Sequence, residues 1–128
     1  MLFRSEAAMY AGGKGVDNLI ATVDYNYKQI DGLTDVVMPL GNFRAKWEAF
    51  GWQVIDIEKG NDIASILKGL ADAKALTGKG KPVCILLHSE MGNGVDFMMG
   101  THAWHSKTPN DEQLTKGLAQ NQIGRAHV

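Results

Sequence analysis

The chain is poor in the features that mark several common protein classes. It has one cysteine, Cys84, so no disulfide can close within it. A lone thiol inside an apolar run usually behaves as a small hydrophobe in a reducing compartment. No stretch approaches the roughly 20 consecutive apolar residues that span a bilayer. The opening Met1-Leu2-Phe3-Arg4-Ser5 is too short and too polar for a secretory leader. An excess of one charge is missing as well. The 13 basic residues are scattered among 14 acidic ones, which removes the clustered cationic surface that phosphate-backbone binding needs. These absences leave a cytoplasmic globular protein as the expectation, with neither nucleic acid nor membrane as a partner.

What is present suits one packed domain: 128 residues, of which 45% are hydrophobic and 21% charged. Three short apolar runs read as buried strands: Leu19-Ile20-Ala21-Thr22-Val23, Gln53-Val54-Ile55-Asp56-Ile57 and Val83-Cys84-Ile85-Leu86-Leu87. Near-continuous apolar runs of this length are expected where both faces of a parallel sheet are covered. Helical spacing lies between them. Phe43, Trp47 and Phe50 form one stripe and stop at Gly51; Ile63, Ile66, Leu67, Leu70 and Ala73 form another and stop at Gly78. Asn61 stands where an N-cap belongs, with Asp62 in the first turn, and Pro82 opens the third strand. A short helix around Glu6 to Tyr10, breaking at Gly12-Gly13, opens the order. A last helix starts near Asn110-Asp111 and uses Leu114 and Leu118. The alternation predicts an α/β fold: a partial parallel sheet with helices on both faces.

In such sheets ligands bind beyond the carboxyl ends of the strands. Two long connections sit there, from Asp24 to Gly41 and from Ser89 to Pro109, and loops of this length are usually functional. In the first, Asn26 offers a neutral amide oxygen just past a strand end. Magnesium takes hard oxygen ligands, often shared with phosphates. Spacing alone, however, favours an Asn that caps its own turn. The Lys28 side chain reads as a solvated surface charge, and Ile30 equally as an ordinary core contact.

The stretches Glu6 to Tyr10, Asp17 to Asn26 and Gln29-Ile30-Asp31-Gly32 resemble the transketolase thiamine diphosphate motif. The likeness continues through Trp47 to Trp52, Gly78 to Pro82, Gly92 to Phe97 and Ala103-Trp104-His105. The chain is thereby identified with the diphosphate-binding N-terminal domain or subunit of that family. The resemblance implies a ketol transfer between sugar phosphates within the pentose phosphate pathway, using thiamine diphosphate and Mg2+. It makes Asn26 a side-chain metal ligand and Lys28 a ligand through its backbone carbonyl. Ile30 becomes the apolar neighbour of the cofactor ring, and His105 the histidine beside the diphosphate and the donor sugar. Asp31-Gly32 is implied to be a turn that shapes the loop.

The chain departs from the family in several places. The family's Gly-Asp-Gly, with its metal-binding Asp, would fall upstream of the first residue. Met91 and Asn93 replace lysines of the glycine-rich segment, and Ser106 replaces the usual Gly after the histidine. The activating glutamate belongs to a pyrimidine-binding domain or subunit, expected as partner in a dimer or heterotetramer, so this chain alone is expected to be inactive. Another thiamine-dependent enzyme, such as a deoxyxylulose phosphate synthase, and a non-catalytic α/β interaction module are the rival readings.

Of the remaining candidates, His88 and His102 read as structural, and Trp47 and Trp52 as core. Trp104 is a residue that could order its loop. Residues 6–122 are read as the C-terminal part of the domain. Residues 1–5 and 123–128 are read as non-native, because both match translations of common sequencing adapters; His127 belongs to that tail.

Overall fold

The computed structural model describes residues 2–125, with side chains for residues 5–121. Met1 and residues 126–128, including His127, lie outside the described residues. In chain order the elements are α1 (Leu2–Gly13), β1 (Ile20–Tyr25), β2 (Lys28–Gln29), β3 (Gly32–Leu33), α2 (Thr34–Val37), α3 (Phe43–Ala49), β4 (Gln53–Ile57), α4 (Ile63–Leu76), β5 (Val83–His88) and α5 (Asp111–Arg125). They fall into two compact units. Of the described residues, one holds 2–25 together with Leu40–Ser89; the other holds Asn26–Pro39 together with 90–125.

The first unit carries a parallel sheet in the order β1-β5-β4, with Ile20 opposite Val83 on one side and Gln53 opposite Val83 on the other. The central strand is apolar throughout its first four residues, and none of Val83, Cys84, Ile85 and Leu86 is more than 1% exposed. Side chains alternate across a strand, so this one run feeds two cores. Cys84 and Leu86 join Ala8 and Ala11 of α1, Trp52 and Val54, with Phe43 and Trp47 of α3 packed alongside. Val83 and Ile85 join Ile57 and Ala73, with Leu70 and Leu76 of α4 alongside. Each large aliphatic side chain buried here contributes about 1.5–3 kcal/mol. Helices therefore cover both faces, as the strand pattern predicts. Trp52 is core, as expected, and its indole N–H donates to the Ala8 carbonyl at 2.8 Å. Burial also pushes the Cys84 thiol pKa up to about 12.

Several local expectations are corrected. The cap of α4 is Asp62, not Asn61: its carboxylate accepts the Ser65 amide at 2.8 Å. Ile63 and Leu67 are 69% and 62% exposed, so the packed face of α4 is Gly69, Leu70 and Ala73. Helix α1 ends at Gly13, as the Gly12-Gly13 pair suggests, but Gly12 is still helical and is required by close packing. A Cβ on Gly12 would lie 1.8 Å from the Phe50 carbonyl oxygen.

In the second unit, β2 and β3 form a two-residue antiparallel ladder, Lys28 opposite Leu33 and Gln29 opposite Gly32. Strands this short leave no period in a sequence. Helix α5 opens with a reciprocal cap, in which the Gln113 amide donates to Asn110 Oδ1 at 2.9 Å and the Asn110 amide donates to Gln113 Oε1 at 3.0 Å. Its expected face is corrected: Leu114 and Leu118 are 49% and 52% exposed. Gly117, on another side of the helix, is buried and faces Val95 and Phe97. Among the described residues, no helix is long and apolar enough to cross a membrane.

Candidate functional site

Asn26 follows directly on the last residue of β1. Its side-chain oxygen accepts the Lys28 amide at 3.0 Å, a local turn that competes with continued strand. Tyr27, between them, takes a left-handed φ of 58°. Its carbonyl accepts the Thr34 amide at 2.8 Å, which fastens the turn to the start of α2. The turn cap that spacing favours is therefore real. It is also compatible with metal ligation, because a carbonyl oxygen can accept more than one contact.

Two expectations for this loop fail. The Lys28 side chain is not a solvated charge: it is only 7% exposed, and its ammonium lies 2.8 Å from Glu90 Oε1. A buried ammonium is costly unless paired, which is why a carboxylate sits against it. Ile30 is no core contact either. It is 69% exposed.

The second loop is a series of tight turns. The Asn93 amide donates to the Glu90 carbonyl, Val95 to Gly92 and Met98 to Val95. Gly92 has φ 76°, and a Cβ there would meet the Met98 Cβ at 2.5 Å, so the chain folds back on itself too closely for a side chain. Trp104 orders the loop, as its position suggests: its indole N–H donates to the Phe97 carbonyl at 2.8 Å, and the two rings lie 5.3 Å apart. His105 follows, its amide bonded to the His102 carbonyl at 3.0 Å. Ser106 takes φ 62°, a conformation that glycine adopts more easily.

These two loops line one cavity of about 260 Å³, bounded by Asn26, Lys28, Gln29, Ile30, Met91 and His105. All four residues singled out in the sequence are among them. His88 is not; it sits in the first unit with its ring nitrogen 3.1 Å from Asp56. His102 is half-buried and contributes a backbone carbonyl to its own loop. Sequence reasoning missed Glu90. The Lys28 hydrogen bond, then the Gly100 amide, hold its carboxyl below the usual carboxylate range. Its partner lies 62 residues away in the chain, so no local pattern could have announced the pair.

Chemically, the cavity offers neutral oxygens from an Asn side chain and adjacent backbone, an exposed aliphatic side chain and an imidazole. Among the described residues there is no cluster of three or more His, Cys, Asp or Glu side chains able to hold a metal ion. Neutral oxygens suit a hard cation that already carries phosphate ligands better than a cation the protein must hold alone. The exposed Ile30 suits a ring system.

The family model described as transketolase, thiamine diphosphate binding domain, matches residues 3–124. The chain belongs to the transketolase family. A 6-deoxy-6-sulfo-D-fructose transketolase subunit from a Clostridium species is 41% identical over 115 residues, 90% of this chain and 41% of the relative. One subunit of an apulose-4-phosphate transketolase from Phocaeicola vulgatus is 36% identical, over 90% of this chain and 40% of the relative. The chain thus spans about two fifths of these curated relatives. Among solved structures, the transketolase of Campylobacter jejuni superposes with a TM-score of 0.80 at 29% identity, covering 94% of this chain and 18% of that one. The transketolase of Leishmania mexicana gives 0.71 at 26%, covering 94% and 22%. The α/β fold with a parallel sheet and the thiamine diphosphate binding domain thus both follow from the transketolase assignment.

Proposed function

We propose that this chain supplies the diphosphate- and metal-holding part of a transketolase, which moves a two-carbon ketol unit between sugar phosphates in the cytoplasm. The carrying observation is that Asn26, Lys28, Ile30 and His105, drawn from two separate loops, line one cavity. Asn26 Oδ1 and the Lys28 carbonyl would hold a magnesium ion, whose charge would help anchor the cofactor's diphosphate. Ile30 would lie along the cofactor ring, giving its exposed surface an apolar partner. When bound, thiamine diphosphate supplies a nucleophilic ring carbon that accepts and passes on the ketol unit.

His105 would act toward the substrate. An imidazole has one ring nitrogen that donates and one that accepts, so it can hydrogen-bond a sugar hydroxyl or phosphate oxygen, or exchange a proton with it. The Asn and backbone carbonyl oxygens have no such capacity and the Lys28 ammonium is held by Glu90, which leaves His105 as the lining group suited to proton handling. Pyrimidine recognition and cofactor activation fall to a second domain or subunit, in a dimer or heterotetramer. The naming of two relatives as transketolase subunits supports that division.

The test is thiamine diphosphate binding to the intact two-part enzyme, with and without magnesium. Magnesium-dependent affinity that collapses in Asn26→Ala supports this reading; undiminished affinity in that variant removes Asn26 from the site. The purified 128-residue chain should show no turnover with cofactor, magnesium and sugar phosphates.

A further inference from the structure

Glu90 lies immediately after Ser89 and next to Met91, a residue that lines the cavity. One oxygen of its carboxylate, Oε1, accepts both the Lys28 ammonium and the Gly100 amide, each at 2.8 Å. Lys28 belongs to the first loop, and Gly100 to the second, five residues before His105. The carboxylate therefore ties the two loops at a single atom. We propose that Glu90 is a positioning residue: gripped by Lys28 and Gly100, it sets the second loop so that His105 stands in the cavity of Asn26.

The Lys28 ammonium is almost wholly withdrawn from water, so it must hold a carboxylate or leave its place. Gly100 has a left-handed φ of 72°, and a side chain there would meet no neighbour, so the Glu90 carboxylate holds this turn through its backbone amide. The Trp104–Phe97 contact orders the loop internally, but both of its ends belong to the second loop. The Glu90 carboxylate reaches Lys28 of the first loop. Hydrogen bonds to charged groups are the stronger kind, and here one charge serves two donors. Lys28 thereby acts twice: its backbone follows Asn26 around the turn, and its side chain holds the loop that bears the histidine.

This deepens the reading of the cavity as a cofactor site, yet its test needs no cofactor. Amide exchange and ring contacts are measured by NMR on the ligand-free 128-residue chain. In the unaltered chain the Gly100 amide should be protected, and the His105 ring should show a cross-peak to the Met91 methyl. Glu90→Ala should speed Gly100 exchange by at least about tenfold, the scale of one hydrogen bond to a charged group, and remove the His105–Met91 cross-peak.

Should Glu90→Ala fail to fold, Lys28→Met serves instead. It removes the buried charge, keeps the backbone carbonyl, and should loosen Gly100 in the same direction. Unchanged Gly100 exchange together with a retained cross-peak in a folded variant overturns the proposal. Undiminished cofactor affinity in Asn26→Ala, by contrast, would overturn the cofactor reading and leave this loop measurement standing.

Discussion

The side-chain oxygen of Asn26 lies 3.0 Å from the amide nitrogen of Lys28. One short residue thus turns the chain out of a strand and, in doing so, places its own amide oxygen beside the next backbone groups. Replacing Asn26 with Ala removes both effects. A net loss of about 1 kcal/mol is expected for the turn itself. Magnesium affinity, read by calorimetry in the presence of thiamine diphosphate, should fall at least about tenfold, since tenfold corresponds to only ~1.4 kcal/mol. Asn26→Asp, which keeps the acceptor, should retain most of that affinity.

Ser106 holds φ 62° without being glycine. An L-residue in that region costs about 1–2 kcal/mol, offset in part because glycine loses more backbone entropy on folding. Ser106→Gly should therefore stabilise the chain by up to ~1 kcal/mol. The check is chemical denaturation, where the midpoint should rise. A lower midpoint would mean the serine side chain contributes something its backbone strain conceals.

Gly12 is helical, so propensity alone would make Gly12→Ala stabilising by about 0.5–1 kcal/mol. Packing reverses the sign. The added methyl would sit 1.8 Å from the Phe50 carbonyl oxygen, a backbone atom that cannot rotate away. A destabilisation of about 1–3 kcal/mol is expected, since α1 must shift from its seat. Thermal unfolding of the variant decides between the two effects.

Asp56 carries a pH dependence. Burial works to raise its pKa, but hydrogen bonds from His88 and Arg44 outweigh burial and hold the carboxyl below the ordinary range. A group whose folded pKa is depressed stabilises the fold fully above its unfolded value, near 3.9. That contribution is lost as pH falls through the folded value. Urea unfolding between about pH 6 and about pH 2.5 should show stability dropping on the acid side. Asp56→Asn should flatten that drop, although it should lower stability at neutral pH.

The fold was legible because its signals are local. Val83 to Leu86 form an unbroken apolar run, and a run of that length between glycine-rich and polar breaks has few uses other than a central strand. The motif running from Asp17 to Gly32 is contiguous too, so the resemblance to the family and with it Asn26, Lys28 and Ile30 could be read in a line, while His105 came from the separate Ala103-Trp104-His105 stretch. Which side of a helix is buried was less legible. Ile63 and Leu67 fit the helical stripe yet remain exposed, because spacing gives a period but not the neighbour that meets it.

Composition and order along the chain were enough for the class of fold, and the resemblance of contiguous motifs was enough to point to the family and the candidate ligands. Three-dimensional packing alone made Lys28 a buried ion and gave it Glu90. It also left Ile30 bare and gathered both loops around one cavity. Solvation and Coulomb energy depend on distance through space, and a partner 62 residues away contributes nothing to a local pattern.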